Sequence, residues 1–89
     1  MKSAHIFFSG EVQGVGFRFT AKNLAREHRI KGWVRNLDDG RVEVVAQASE
    51  EAISEFISDL KESFKNYISD VNINYDYIAE DFKDFNIAF

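Results

Sequence analysis

The stretch from Gly10 to Arg18, Gly-Glu-Val-Gln-Gly-Val-Gly-Phe-Arg, combines residue types that suit the binding of an anion. Glycine adopts positive φ angles at little steric cost, so Gly14 and Gly16 allow the backbone to curl with several N–H groups pointing the same way. Arg18 follows closely, and its guanidinium would lie at the mouth of this nest of amides. The spacing therefore predicts an anion site made of backbone amides and one arginine.

Other kinds of phosphate and metal chemistry lack the residues they need. No Gly-Lys-Ser/Thr follows the loop, as a nucleotide-binding P-loop requires, and the third glycine of a dinucleotide fingerprint is missing. His5 and His28 lie on separate predicted elements without acidic ligands at metal spacing, so a structural role is the simpler interpretation of each. The carboxylates are numerous, but no motif ties any of them to the loop, which argues against a paired acid and base.

Composition indicates a single small domain over residues 1–89. The nine Phe, three Tyr and one Trp can fill a small core, and the absence of Cys excludes disulfides and thiolate chemistry. Neither a signal peptide nor a membrane-spanning segment is recognisable, so a cytoplasmic location is expected. The net charge of −4 argues against a nucleic-acid partner. Residues 18–41, however, carry seven Lys or Arg against three Asp or Glu, and this local positive charge could focus a small anion on the loop.

Hydrophobic periodicity predicts the elements that would position the loop. A first strand is predicted over residues 5–12, and a helix over about 19–29, with Gly32 closing it. The N-terminus of this helix would add its dipole to the nest. A second strand over 33–37, a hairpin turn at 38–40 with left-handed positions at Asp-Gly, and a third strand over 41–48 follow.

The second half of the chain predicts one helix and two strands. Ser49 is expected to cap a helix with the apolar stripe Ile53, Phe56, Ile57, Leu60 and Phe64. Alternation at Val71, Ile73, Tyr75 and Tyr77 predicts a fourth strand, and the run from 85 to 89 a fifth.

This order of elements is typical of an α+β fold, the ferredoxin-like split βαβ arrangement with an added C-terminal strand. Two helices would cover one face of an antiparallel sheet. Right-handed crossovers give the strand order 4-1-3-2, with the fifth strand beside strand two. Strands one and two then run parallel, so the loop after strand one and the hairpin end of strand two emerge at the same sheet edge. Asn36 is thereby expected near Arg18.

Two spaced motifs resemble those of the acylphosphatase family: Gly10-x-Val12-Gln13-Gly14-Val15-Gly16-Phe17-Arg18, and Gly32-Trp33-Val34-Arg35-Asn36 with the later Gly40-x-Val42. The resemblance covers essentially the whole chain. It implies hydrolysis of the carboxyl–phosphate bond of small acyl phosphates, without metal or cofactor. Carried over residue by residue, it makes Arg18 and Asn36 catalytic, and it assigns substrate binding to the backbone amides of Val15, Gly16, Phe17 and Arg18.

The chemistry of an acyl phosphate explains why so few groups could suffice. A carboxylate leaves without a proton from a general acid, so catalysis reduces to positioning and to stabilising charge on the phosphoryl oxygens. The planar fork of Arg18 can bind two of these oxygens, and Asn36 can hold the attacking water without titrating. As a further expectation from the resemblance, the Phe89 carboxylate could pair with Arg18 when no phosphate is bound.

The residues leave an alternative open, a non-catalytic anion-binding or regulatory module of the same fold. RNA binding is less favoured, because the neighbours of Phe7 on its sheet face make a poor platform. We expect a small anionic substrate as partner, neither nucleic acid nor membrane, and a monomer, although residues 72–78 could pair at a sheet edge. Phe8 and Ala48 depart from the family pattern, and Ala48, where a glycine is usual, leaves the backbone before the second helix undetermined.

Overall fold

A computed structural model describes residues 2–75 and 80–89, and within them two helices pack on one face of a five-stranded mixed sheet. The elements in chain order are β1 Lys2–Gly10, α1 Phe17–Glu27, β2 Lys31–Asn36, β3 Val42–Ala48, α2 Glu50–Ser63, β4 Ile68–Tyr75 and β5 Phe85–Ile87. The sheet order is β4-β1-β3-β2-β5. Among the neighbouring strands in the described residues, β2 and β5 are parallel, and the other three pairs are antiparallel. The predicted ferredoxin-like topology is confirmed.

Aromatic packing fixes the place where α1 begins. Phe17, its first residue, is buried between Phe8 of β1 and Phe64, with ring centroids 4.9 and 4.8 Å away. Aromatic pairs at such distances contribute roughly 0.5–1.5 kcal/mol each beyond the area they bury. Because Phe17 is held in the core, the residue that follows it is presented at the edge of the sheet.

Helix α1 begins and ends two residues earlier than predicted. Gly16, at φ +81°, is its N-cap, and Arg29 ends the helical turn at φ +58°. The N–H of Ile30 then donates to the carbonyl of Ala25 at 2.8 Å, a bond typical of a left-handed helix C-cap.

The prediction that Gly32 closes this helix is therefore wrong. Gly32 lies inside β2 at φ +140°, and a Cβ on it would stand 1.8 Å from the carbonyl oxygen of Val45 in β3. Glycine is needed here because two strands approach closely, and that requirement is invisible from the neighbouring sequence.

The β2–β3 turn also differs from its prediction. Gly40 takes φ +93°, whereas Asp39 does not have a positive φ. The N–H of Leu37 donates to the carbonyl oxygen of Arg41 at 2.8 Å, and the N–H of Gly40 donates to the carbonyl oxygen of Leu37 at 3.2 Å. This pattern is a three-residue loop ending on one left-handed glycine, so the expected pair of left-handed positions is corrected to one.

Two strands, β1 and β4, have ends that differ from the predicted ones. Gly10, at φ +118°, ends β1 at a register shift, and the N–H of Glu11 bonds to the carbonyl of Tyr67, so residues 11 and 12 belong to the loop. Strand β4 starts earlier than predicted, at Ile68. Tyr77, which was predicted to extend it, lies outside the described residues.

The second helix starts as predicted. Ser49 Oγ accepts a hydrogen bond of 3.1 Å from the N–H of Ala52, and the predicted stripe of α2 is buried. Ala48 is the last residue of β3, pairs with Lys2 and has no positive φ, so an alanine fits the backbone there. Across the described ranges, neither helix is long and apolar enough to cross a membrane.

Candidate active site

A cavity of about 200 Å³ opens at the sheet edge where β1 and β2 end. The loop after β1, the first turn of α1, the end of β2 and the residues around β5 form its walls. The lining residues are Val12, Gly14, Gly16, Phe17, Arg18, Phe19, Asn36, Ile87 and Phe89. The structure thus brings Arg18 and Asn36 to one cavity. Val15 is not in this lining; its side chain packs partly buried against the core.

Both loop glycines adopt the conformation that the nest requires. Gly14 has φ +77° and Gly16 φ +81°, and a Cβ on either would meet nothing within 4 Å. Glycine is therefore favoured at these two positions by backbone conformation and not by lack of space. An L side chain in this region costs about 1–2 kcal/mol.

The N-terminus of α1 opens into the cavity without a cap. Gly16 provides no side-chain hydrogen bond, and the first turn has no acidic residue. The first helical bond runs from Thr20 N–H to Gly16 at 3.1 Å, so the N–H groups of residues 16–19 have no acceptor within the helix. These amides and the positive end of the helix dipole are groups suited to binding an anion.

Arg18 is the cationic side chain of the cavity. Its Cζ lies 5.6 Å from the centroid of the Phe89 ring. In the described part of the chain, no ion pair joins Arg18 to any carboxylate, that of Phe89 included. The predicted contact of the Phe89 carboxylate is thus replaced by a contact of its ring, and the guanidinium keeps its hydrogen-bond donors for a ligand.

The side chain of Asn36 contains a buried hydrogen-bond acceptor, its Oδ1. Asn36 is the last residue of β2, opposite Val42 of β3, and its Oδ1 has no hydrogen-bond partner among the described residues. A buried acceptor left unpaired costs about 1–3 kcal/mol. An amide oxygen accepts from an O–H or N–H and does not titrate, so this atom suits a ligand that donates a proton.

Gln13 joins the two halves of the site, a role that the sequence analysis missed. Its Nε2 donates to the carbonyl oxygens of Leu37 at 2.7 Å and Arg41 at 3.0 Å, on the two sides of the β2–β3 hairpin. Leu37 directly follows Asn36. The available signal was a long side chain with two N–H donors inside a glycine loop, but the acceptors are 24 and 28 residues away.

Arg35, the other arginine near Asn36, is engaged on the opposite side of β2. Its Nε donates to Glu43 Oε1 at 2.6 Å, and His5 bonds to the other carboxylate oxygen of Glu43. Burial acts to raise the pKa of the Glu43 carboxyl, but the hydrogen bonds from His5 and Arg35 hold the pKa below its usual value. Arg35 is therefore not a second cation of the cavity.

The two histidines have acidic partners elsewhere in the fold. His28 Nε2 lies 2.8 Å from Asp59, which ties α1 to α2, and His5 is held by Glu43. Within residues 2–75 and 80–89, no three His, Cys, Asp or Glu side chains cluster so as to hold a metal ion.

Comparison with known proteins shows one consistent family. Residues 4–87 match the family model described as Acylphosphatase. A curated relative named Acylphosphatase from Bacillus licheniformis is 38% identical, with 100% of both chains covered. One from Roseiflexus sp. is 53% identical over 65% of this chain, and the match spans 62% of that relative, less than two thirds of its length. The crystal structure of acylphosphatase from Bacillus subtilis superposes with a TM-score of 0.90 at 33% identity, covering 100% of each chain.

Proposed function

Because the chain belongs to the acylphosphatase family, we propose that it hydrolyses the carboxyl–phosphate bond of small acyl phosphates, giving a carboxylate and phosphate. One observation carries the proposal: Asn36, whose buried Oδ1 has no hydrogen-bond partner among the described residues, lines the same cavity as Arg18 and the open N-terminus of α1. Such a cavity offers donors for phosphoryl oxygens together with an acceptor for a water molecule.

The phosphoryl group binds at the loop and the helix start. The amides of residues 15–18 donate to its oxygens, and the guanidinium of Arg18 donates through its fork, two bonds to two oxygens. Charge on these oxygens is stabilised by donors that are already in place, because Gly14 and Gly16 hold the loop curled before substrate arrives.

Asn36 positions the nucleophile. Its Oδ1 accepts a hydrogen bond from a water, and the water oxygen attacks phosphorus as the bond from phosphorus to the carboxylate oxygen breaks. The electron pair of that bond leaves with the carboxylate, which needs no proton. The protons of the water remain on the phosphate or pass to solvent, so neither a base nor a metal is a required part.

The proposal extends to the setting of the reaction. It places the chain in the cytoplasm as a monomeric single domain over residues 1–89, with a small anionic acyl phosphate as partner and with no nucleic acid or membrane. The net charge of −4 supports the exclusion of nucleic acid.

Phosphate release from acetyl phosphate, measured in the presence of EDTA, tests the activity. Arg18→Gln and Asn36→Ala should each lower kcat/KM at least ~100-fold. Matched controls are Arg26→Gln, an exposed arginine of α1 that bonds Asp84, and Asn74→Ala on exposed β4; both should retain wild-type activity.

A second candidate is favoured by the helix N-terminus alone, which could bind an anion without turning it over. If the wild-type protein binds phosphate but releases none from acetyl phosphate, the chain is an anion-binding module and the proposed hydrolytic activity is refuted. Full activity in both Arg18→Gln and Asn36→Ala would refute the assignment of the site.

A further inference from the structure

We propose that Glu43 is a positioning residue for the reaction. From the face of the sheet opposite the cavity, its carboxylate links β1 and β2, the strands that carry the two halves of the site, and so fixes Asn36 relative to the loop after β1. Glu43 is not among the residues that line the cavity, so it acts through Asn36 and not on the substrate. The inference rests on the proposed function, because it concerns the placement of the residue that binds the attacking water.

The two halves of the site lie on strands that are not neighbours. Strand β1 leads into the loop and β2 ends at Asn36, whereas β3 lies between them in the sheet. The backbone of β3 pairs with each of these strands separately. A direct link across all three strands must therefore come from side chains.

The carboxylate of Glu43, in β3, makes such a link. Its Oε1 accepts a hydrogen bond of 2.6 Å from Nε of Arg35 in β2, and its Oε2 accepts one from Nε2 of His5 in β1. Glu43 stands directly opposite Arg35 in the β2–β3 ladder, and the next pair, Asn36 with Val42, is the last before the turn. The link thus lies one residue away from the asparagine of the cavity.

Arg35 is held on a second side by an aromatic ring. Its Cζ lies 5.1 Å from the centroid of the Trp33 ring, two residues earlier on the same face of β2. Successive side chains of a strand point to opposite faces of the sheet. Fixing Arg35 on one face therefore also fixes the backbone from which the Asn36 side chain projects on the other.

Stability alone does not account for a carboxylate in this place. Glu43 is the one acidic residue that is buried in the described part of the chain, with 8% of its side chain exposed. The desolvation of a buried ion pair offsets much of its attraction, so apolar side chains could stabilise these strands equally well. Apolar contacts lack direction, whereas a hydrogen bond to each carboxylate oxygen fixes the two outer strands relative to β3.

Phosphate release from acetyl phosphate by Glu43→Gln tests the role. Glutamine keeps the shape and an oxygen for Arg35 but removes the charge and the second acceptor, the one used by His5. We expect kcat to fall about 5–10-fold, because a small displacement of Asn36 misplaces the water. The inhibition constant of inorganic phosphate should stay within about twofold of wild type, since the loop amides and Arg18 lie on one segment of the chain. Arg35→Met removes the other end of the link and should give the same result, which keeps the test available if one variant does not fold.

A double-mutant cycle distinguishes positioning from a general structural effect. In the Asn36→Ala background, Glu43→Gln should lower kcat by less than about twofold, because no side chain is left to position. A merely structural role predicts the same factor in both backgrounds. Asp59→Asn is the matched control: its carboxylate bonds Nε2 of His28 at 2.8 Å and joins the two helices outside the cavity, and kcat should stay at the wild-type value.

Three results overturn the positioning role while leaving the enzyme intact. The first is wild-type kcat in folded Glu43→Gln or Arg35→Met. The second is an equal loss of kcat with and without the Asn36 side chain. The third is a rise in the phosphate inhibition constant as large as the fall in kcat, which would locate the damage in the loop. Absence of turnover by the wild-type protein would instead refute the proposed function, and the positioning role with it.

Discussion

The side-chain amide of Gln13 donates a hydrogen bond of 2.7 Å to the carbonyl oxygen of Leu37, and so joins the glycine loop to the end of the strand that carries Asn36. The same nitrogen donates to Arg41 across the hairpin at 3.0 Å. The proposed donors for phosphate and the proposed acceptor for water come from elements that are far apart in sequence. The distance between the glycine loop and Asn36 therefore depends on Gln13 as well as on the pairing of the strands.

Replacing Gln13 by Met keeps the length of the side chain and removes both donors. We expect kcat to fall roughly 10–100-fold, because a small displacement of Asn36 from the loop misplaces the water. The inhibition constant of inorganic phosphate should change less than kcat, since Arg18 and the loop amides remain. Both constants are measured by phosphate release from acetyl phosphate.

Gln47→Met is the matched control for Gln13→Met. Gln47 also ties backbone segments together, donating to Glu80 at 2.7 Å and accepting from the N–H of Phe82 at 3.2 Å, but it lies outside the cavity. Its loss should lower the free energy of unfolding by about 1–3 kcal/mol and leave kcat unchanged. Wild-type kcat in folded Gln13→Met would contradict the positioning role.

Substitutions of Arg18 and Asn36 should affect phosphate binding and turnover differently. Arg18→Gln should raise the inhibition constant of phosphate, because it removes the cation and the fork. Asn36→Ala should leave that constant within a few-fold of wild type while kcat falls. Asn36→Ala should also not lower the free energy of unfolding in urea, since it removes a buried acceptor that has no described partner, worth about 1–3 kcal/mol. Strong destabilisation by Asn36→Ala would show that its Oδ1 is satisfied.

Positive φ angles at the two ends of α1 predict opposite effects of substitution on the free energy of unfolding. Gly16→Ala at φ +81° should lower the free energy of unfolding by about 1–2 kcal/mol and weaken phosphate binding. Arg29→Gly at φ +58° should raise it by about 1 kcal/mol, because glycine relieves a left-handed conformation there. Urea titration measures both; a loss of stability in Arg29→Gly would contradict the argument.

Glu43 predicts an acid-dependent part of the stability. In the folded chain its pKa is held below the ordinary value of about 4.5, so its contribution to stability is complete above that pH and is lost as pH falls through the lower folded pKa. The free energy of unfolding should therefore drop on acidification below about 4.5 in wild type, and more shallowly in Glu43→Gln. Asp39→Asn should alter the slope less, because that carboxylate is solvent-exposed and only locally bonded to Arg41. Identical slopes for wild type and Glu43→Gln would rule this out.

Much of the site follows from rules that act locally. The need for positive φ at Gly14 and Gly16 is a property of glycine, and both residues have it. The alternation in β1 and the stripe of α2 predict which side chains are buried. The handedness of crossovers then places Asn36 at the same edge as Arg18, and the strand order confirms that topology.

Other features depend on residues that meet only after folding. The start of α1 at Phe17 is set by its packing against Phe8 and Phe64, and so it lies two residues before the apolar stripe suggested. Glycine is required at position 32 because the carbonyl of Val45 in the neighbouring strand leaves no room for a Cβ.

By itself, the sequence determined the elements, their order and the residues proposed to bind an anion, because backbone preferences and hydrophobic periods are properties of neighbouring residues. The tertiary structure alone decided that Gln13 bonds to Leu37, that the acceptor of Asn36 has no partner among the described residues, and that Phe19 stays exposed beside the cavity. These contacts depend on the register of strands and the approach of distant segments, which exist only once the chain has assembled.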